Sequence, residues 1–421
     1  MTNRKENKPL RIARRIAHRI RSLTVFTKFS EEPLVLGLAL MLMLILILHT
    51  VGIFDTQGVI WNQTYGGRGS DTGRSVQETK DGGYIIVGDT TSWGAGGSDP
   101  WLVRTDASGN EQWNRTFGGR GRDSGFSVRE TRDGSYILAG VTNSYGTGNF
   151  DAWLIKTDDS GNEQWNKTFG GSSYDWGYSV QETKDGGYVL LGKTESYGAG
   201  DGDAWLIKTD ASGREHWNKT FGGAKDDGGI SVQETIDGSY IITGSTESYG
   251  VGGKDVWLIK TDLHGREQWN RTFGGSRDDI GTSVQAIGGG GYIIIGGANA
   301  PLAPTDDMTG DAWLIKTDSN GTMLWGKIFS FGDSNYDLGT SVEETKDGSY
   351  IITGYGFGPG MYAWLIKTDS AGVKEWDDLF DESGREEGSS VQPTRDGGYI
   401  STGWTISSGS VDVWLQKVRI K

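Results

Sequence analysis

Apolar residues follow two patterns along this chain. From Leu34 to Phe54 they are continuous: LVLGLALMLMLILILHTVGIF has no formal charge, and only His49 and Thr50 are clearly polar. Twenty-one helical residues rise about 30 Å at ~1.5 Å each, the depth of a bilayer core. A run apolar on every face predicts a transmembrane helix rather than a soluble core helix. It exceeds a signal-peptide core of about 7–15 residues, and no A-x-A site follows, so the span is expected to be retained. After Gly58 the apolar residues come instead in short β-like runs separated by glycine, aspartate and serine.

These runs repeat. The tryptophans Trp61, Trp113, Trp165, Trp217 and Trp269 are each 52 residues apart, and Trp325 and Trp376 follow at spacings of 56 and 51. A second tryptophan column, in W-L-I-K segments, holds Trp101, Trp153, Trp205, Trp257, Trp313, Trp364 and Trp414. A Y-I-I segment also occurs seven times, at Tyr84, Tyr136, Tyr188, Tyr240, Tyr292, Tyr350 and Tyr399. Each unit has four runs, in the second copy SVRET (127–131), SYILAGVT (135–142), DAWLIKTD (151–158) and NEQWNKTF (162–169). R-D-G and D-D-S-G make the first and third connections tight hairpins, while the other two are longer and glycine-rich. Four antiparallel strands per unit of about 50 residues predict a propeller blade, and seven copies predict an all-β, seven-bladed β-propeller over 59–421.

The phase of the repeat predicts how the ring shuts. The first unit opens on WNQTY (61–65), a fourth-strand sequence, and the last stops after DVWLQK (412–417), three strands in. The first segment is therefore expected to complete the last blade and remove its open edge. The D-x-x-G-x-x-x-W part of the unit resembles the tryptophan-docking repeat of quinoprotein-like propellers. The full D-G-G-Y-I-I…D-x-W-L-I-K-T-D pattern is similar to propeller repeats of archaeal and bacterial cell-surface proteins. The resemblance implies an exported binding or scaffold propeller. Quinoprotein dehydrogenases stack a vicinal cysteine pair on their cofactor and usually have eight blades, whereas this chain has no cysteine and seven units.

Composition and charge narrow the function. With no cysteine, thiolate zinc sites, cysteine nucleophiles and cysteine-ligated clusters are excluded, and four histidines support no His-rich metal site. Residues 1–33 carry nine Lys/Arg and three acidic groups, a net +6, so the remainder carries −20 of the total −14. A body this acidic repels phosphate backbones, which argues against nucleic acid as a partner. The positive-inside rule predicts a cytoplasmic tail over 1–33, a span over 34–54 and an extracellular propeller. Ile12, Ile16 and Ile20 lie on one face of Pro9–Leu23 among five arginines, which suits either a headgroup-binding helix or a plain topogenic cluster.

Several repeated positions carry candidate chemistry. Asp71, Asp123, Asp175, Asp227, Asp279, Asp337 and Glu386 stand four residues before each S-V pair. They are expected near the channel mouth, either as Asx-type turn anchors or as a ring for a hard cation such as Ca²⁺ or an amine-bearing ligand. Asp99, Asp151, Asp203, Asp255, Asp311 and Asp412, with Tyr362 in the sixth unit, precede the third strand and are expected to anchor it. Trp93, Tyr145, Tyr197 and Tyr249 lie in S-[YW]-G-x-G loops, either as a glycan or protein contact surface or as fillers between blades. N-x-T sequons recur at Asn62, Asn114, Asn166, Asn218 and Asn270, with a sixth at Asn320, and are glycosylation candidates on the predicted topology. The fifth and sixth units break the symmetry with GGANAPLAPTDDMTGD (296–311) and YGFGPGMY (355–362).

No nucleotide fingerprint or catalytic triad is present, and near-identical acids in every unit suit multivalent binding better than one asymmetric catalytic pair. The reading is a membrane-anchored, single-pass surface propeller that binds a glycan, protein or cation on its long-loop face. The alternative is a surface enzyme on that face: a hydrolase, a lyase or a quinone-dependent oxidoreductase.

Overall fold

The computed structural model describes residues 57–298, 310–331, 336–358, 360–380, 385–407 and 409–420. The predicted tail and membrane span lie outside the described residues, as does most of the long fifth-unit loop. Val59–Val418 form one compact unit. In it seven four-stranded sheets follow the repeat, each pairing its strands in chain order. Blade 2, for example, is Asp123–Glu130, Tyr136–Thr142, Asp151–Thr157 and Glu163–Phe169, all antiparallel. The seventh blade takes Glu386–Pro393, Tyr399–Ser407 and Ser410–Ile420 from one end of the repeat and Gln57–Tyr65 from the other. The expected closure is the one observed.

Second and third strands are buried on both faces because each blade is packed between two others. Ile85, Val87, Leu102 and Phe117 of blade 1 cluster with Val128, Tyr136, Leu138, Trp153 and Ile155 of blade 2. The two tryptophan columns have separate tasks. Trp153 is 1% exposed and pairs across the sheet with Gly140. Its Nε1–H donates to Asn166 Oδ1 at 3.2 Å, and Trp101, Trp205 and Trp257 do the same to Asn114, Asn218 and Asn270. The fourth-strand tryptophans reach the next blade: Trp113 meets Tyr136 edge-on at 5.9 Å between centroids. Trp113 also lies 2.5 Å from where a Cβ on Gly161 would stand, and Gly161 has φ +78°. Only glycine meets both demands, which explains the D-x-x-G spacing physically.

The lysine of W-L-I-K is buried too. Lys156 Nζ donates to Thr131 Oγ1 at 2.7 Å and to Asp133 Oδ1 at 3.2 Å, and Lys208 and Lys260 reach Asp185 and Asp237. Burial pushes Asp133 upward, but the Thr131 hydroxyl, the Ser135 N–H and the Lys156 ammonium outweigh it and hold the carboxyl down at about 2. Asp185 and Asp237 also sit at about 2. A depressed carboxyl contributes stability above its unfolded value, about 3.9, and loses it as pH falls through the folded value. The melting temperature is therefore expected to drop steeply between about pH 4 and pH 2. Asp133→Asn combined with Asp185→Asn should flatten that slope in a calorimetric pH series, and an unchanged slope would refute the assignment.

Candidate functional site at the axial mouth

The two long connections of each unit meet on one face. Asp123 N–H donates to Ser98 O at 2.8 Å and Gly97 N–H to Gly121 O at 2.9 Å, joining the second-to-third-strand loop of blade 1 to the connection into blade 2. The same bridge recurs at Phe150–Tyr174 and Gly202–Asp226. Here the first aspartate column is buried and engaged by its own loop. Thr142 Oγ1 (2.5 Å), Ser144 Oγ (2.6 Å) and Gly119 N–H (3.0 Å) all donate to Asp123. Asp71, Asp175 and Asp227 accept the same threonine and glycine donors. Asp279 accepts from Gly275 N–H, Asp337 from Phe331 N–H and Tyr362 Oη, and Glu386 from Thr405. None of these carboxylates lines the axial cavity.

The second column holds the neighbouring loop: Asp99, Asp151, Asp203 and Asp255 accept backbone N–H groups from Ala95, Thr147, Ala199 and Val251. Burial, the largest cause, pushes all four carboxyls upward. Trp93, Tyr145, Tyr197 and Tyr249 are exposed, 44–49%. Each rests against the buried tryptophan of its own blade at 4.9–5.6 Å. The three tyrosine hydroxyls donate to Gly118, Gly170 and Gly222 O, so the rings are held in place. Five sequon asparagines are on outer strands and Asn320 is in a hairpin; Asn114, Asn166, Asn218 and Asn270 use both amide atoms, accepting from tryptophan and donating to Glu111, Glu163, Glu215 and Glu267. Asn62 and Asn320 are exposed.

The seven first strands surround the axis, and each carries a β-bulge just inside the long-loop face. The bulged residue differs in almost every blade: Arg74, Phe126, Tyr178, Ile230, Thr282, Thr340 and Ser389. Four consecutive blades thus carry large side chains at the mouth and three carry small ones. Thr282 and Thr340 turn their hydroxyls to Gly339 and Gly388 O. Arg74 Nε donates to Asp89 at 2.8 Å, and its guanidinium lies 5.1 Å from the Phe126 centroid, which stands 5.3 Å from Tyr178. Trp176 and Tyr174 are stacked with an interplanar angle of 11°, and Lys193 lies 5.8 Å from the Trp176 ring. Lys193 and Lys254 converge on Asp226.

On blade 7, Trp404 Nε1–H donates to Glu387 at 3.0 Å, and burial pushes Glu387 upward against the Arg74 charge. Burial followed by the Asp226 charge raises Tyr178 to about 12, so it is a hydroxyl donor at any physiological pH. Repetition, the feature most visible in the sequence, hid this site. Its signal was column-by-column variation, at the residues just after each Asp column.

The fold is shared with proteins of several kinds. No family model matches the chain. The regulatory protein FlaEY of Caulobacter vibrioides is 28% identical over 199 residues, which cover 42% of this chain and 20% of FlaEY. The chain thus matches about a fifth of that relative's length. Among solved structures, the WD40 domain of Neurospora crassa Pan2 superposes with a TM-score of 0.52 at 9% identity, covering 86% of this chain and 95% of that one. A quinohemoprotein alcohol dehydrogenase of Pseudomonas putida gives 0.42 at 10% identity over 87% and 76% of the two chains. The Comamonas testosteroni enzyme gives 0.41 at 10% identity over 86% and 76%. At 9% identity the WD40 superposition speaks to the fold alone.

Proposed function

We propose that this protein is a binding scaffold, anchored through segment 34–54 with its long-loop face outside the cell, and that it receives a surface glycan at the asymmetric axial mouth. One observation carries the reading. In a chain that otherwise repeats its tight turns and core closely, side-chain identity changes from blade to blade around this mouth. A repeat that merely holds a ring together has no use for that variation; a surface shaped to one asymmetric ligand does. The chemistry suits a sugar chain. Phe150, Tyr174 and Trp176 form an aromatic stack that offers apolar surface, while Arg74, Lys193, Asp226 and the Tyr178 hydroxyl supply polar groups beside it. Trp93, Tyr145, Tyr197 and Tyr249 extend the same face toward the rim, spaced one blade apart for a multivalent ligand.

A glycan array probed with the full chain tests this. Trp176→Ala and Arg74→Ala should each weaken binding about 10- to 30-fold, as central interface residues do, without moving the melting temperature. Capture of a surface protein with no glycan on the array would replace the sugar by a protein ligand. Glycan binding indifferent to both substitutions would place the site elsewhere.

A further inference from the structure

Below the mouth the first strands enclose an axial cavity of about 350 Å³, at the small end of the range for ligand sites. Its wall is built by one rule repeated around the ring. Each axial serine accepts a hydrogen bond from the valine N–H of the following blade, as Ser75 does from Val128 at 3.5 Å and Ser127 from Val180 at 3.4 Å. Two residues on, Gln77 Oε1 accepts from Glu130 N–H at 2.6 Å and Gln181 Oε1 from Glu234 N–H at 2.7 Å. These inter-blade bonds occupy acceptors and leave amide N–H donors of the glutamines facing the lumen.

Five blades have glutamine at this second level; blade 2 has Arg129 and blade 6 has Glu343. The two are not adjacent around the ring, and no ion pair within 4.0 Å joins them among the described residues. The Arg129 guanidinium has no hydrogen-bond partner in the protein among the described residues. Glu343 accepts one, from Gln285 Nε2 at 2.7 Å. Each still feels the other's charge across the lumen, and burial, only partly offset by Arg129, pushes Glu343 up to about 7. Glu130 and Glu182 also line the cavity, but their carboxylates accept the Lys80 and Arg132 N–H groups; Arg129 and Glu343, held apart, form a pair of poles with space between them. Two charges drawn out of bulk water without direct contact to one another are costly.

We propose that the axial cavity is a separate binding site for a small zwitterion of the amino-acid type, its carboxylate on the Arg129 guanidinium and its ammonium on the Glu343 carboxylate. Arginine suits the first contact because its planar fork matches a carboxylate with two parallel hydrogen bonds. The glutamine N–H donors around the ring suit the second carboxylate oxygen. The ammonium, in turn, supplies the donors that Glu343 lacks. The inference does not depend on what the mouth binds.

Calorimetric titration of the purified full chain with each of the twenty common L-amino acids, and separately with acetate and methylammonium, tests it. At least one amino acid should bind, and acetate and methylammonium should each bind at least tenfold more weakly. Arg129→Gln and Glu343→Gln should each weaken amino-acid binding at least tenfold, and the double variant should abolish it. Both substitutions install the glutamine that five other blades already carry, so the fold has a precedent for them, and the melting temperature checks it. The proposal is overturned if no amino acid binds, if acetate binds as tightly as any amino acid, or if either folded single variant binds like the natural chain.

Discussion

Removing Gln57–Tyr65 is expected to convert the propeller into an aggregating chain, although every residue of the other six blades is untouched. The segment is the outer strand of the seventh blade, and its side chains are part of the core. Tyr65 is buried in a cluster with Val76, Tyr84, Trp101, Ile400, Val413 and Leu415, and its hydroxyl donates to Gly109 O at 2.5 Å. Trp61 packs on Tyr84 at 5.7 Å. Losing one buried aromatic costs about 3–5 kcal/mol. Losing two together with a strand of backbone hydrogen bonds approaches the whole stability of a typical domain, about 5–15 kcal/mol. The deletion also leaves Ser410–Ile420 as an unpaired apolar edge. Size-exclusion chromatography and thermal melting of the truncated chain check this; a monomer that melts unchanged would show that the closing strand is dispensable.

Trp153→Ala should be the most damaging single substitution of the repeat columns, at about 3–5 kcal/mol. The indole is enclosed by Ile85, Val87, Phe117 and Leu138 of two blades, and its removal also leaves Asn166 Oδ1 without its donor. Tyr145→Ala supplies the contrast. That ring is 47% exposed, packs on the outside of the same tryptophan and gives one exposed hydrogen bond to Gly118 O, so its loss should cost no more than about 1 kcal/mol. Chemical denaturation of the two variants measures both; equal losses would mean that the loop aromatics are structural after all.

The fold was almost wholly legible because it is written seven times. A strand repeated at fixed spacing averages out local ambiguity, and the mismatch of phase between Trp61 and Trp414 announced the closure. Features that depend on cross-strand register were not legible. Nothing in W-N-x-T shows that Asn166 lies opposite Ile155 and beside Trp153, where its amide is taken up by the indole. Nothing in W-L-I-K shows that Lys156 points into a junction lined by Thr131 and Asp133 rather than to solvent. Asp71 and its counterparts stand at the start of the first strands, beside the long loops. The side chains turn into their loops because threonine, serine and glycine donors stand closer than the axis. Arg129 and Glu343 were overlooked for the opposite reason: they are exceptions inside a column whose five glutamines carry no evident chemistry.

The circuit of axial serines has no first or last member in space, but it has one along the chain. The bond from Val76 N–H to Ser390 Oγ spans 314 residues, where Val128 to Ser75 spans 53. Loop-closure entropy makes that last contact only about 1.5 kcal/mol dearer, yet contacts between distant residues are the slow ones to form. Until it forms, the seventh blade waits with three strands beside fourth strands from other molecules that read almost the same, EQWNRT or EQWNKTF. Sequence alone cannot tell the proper partner from a borrowed one. Fidelity then comes from tethering, since a strand on the same chain is always at hand and a foreign one only at high concentration. The repetition that makes the ring easy to build therefore makes its final step a race between an internal strand and an exchanged one, which dilution decides.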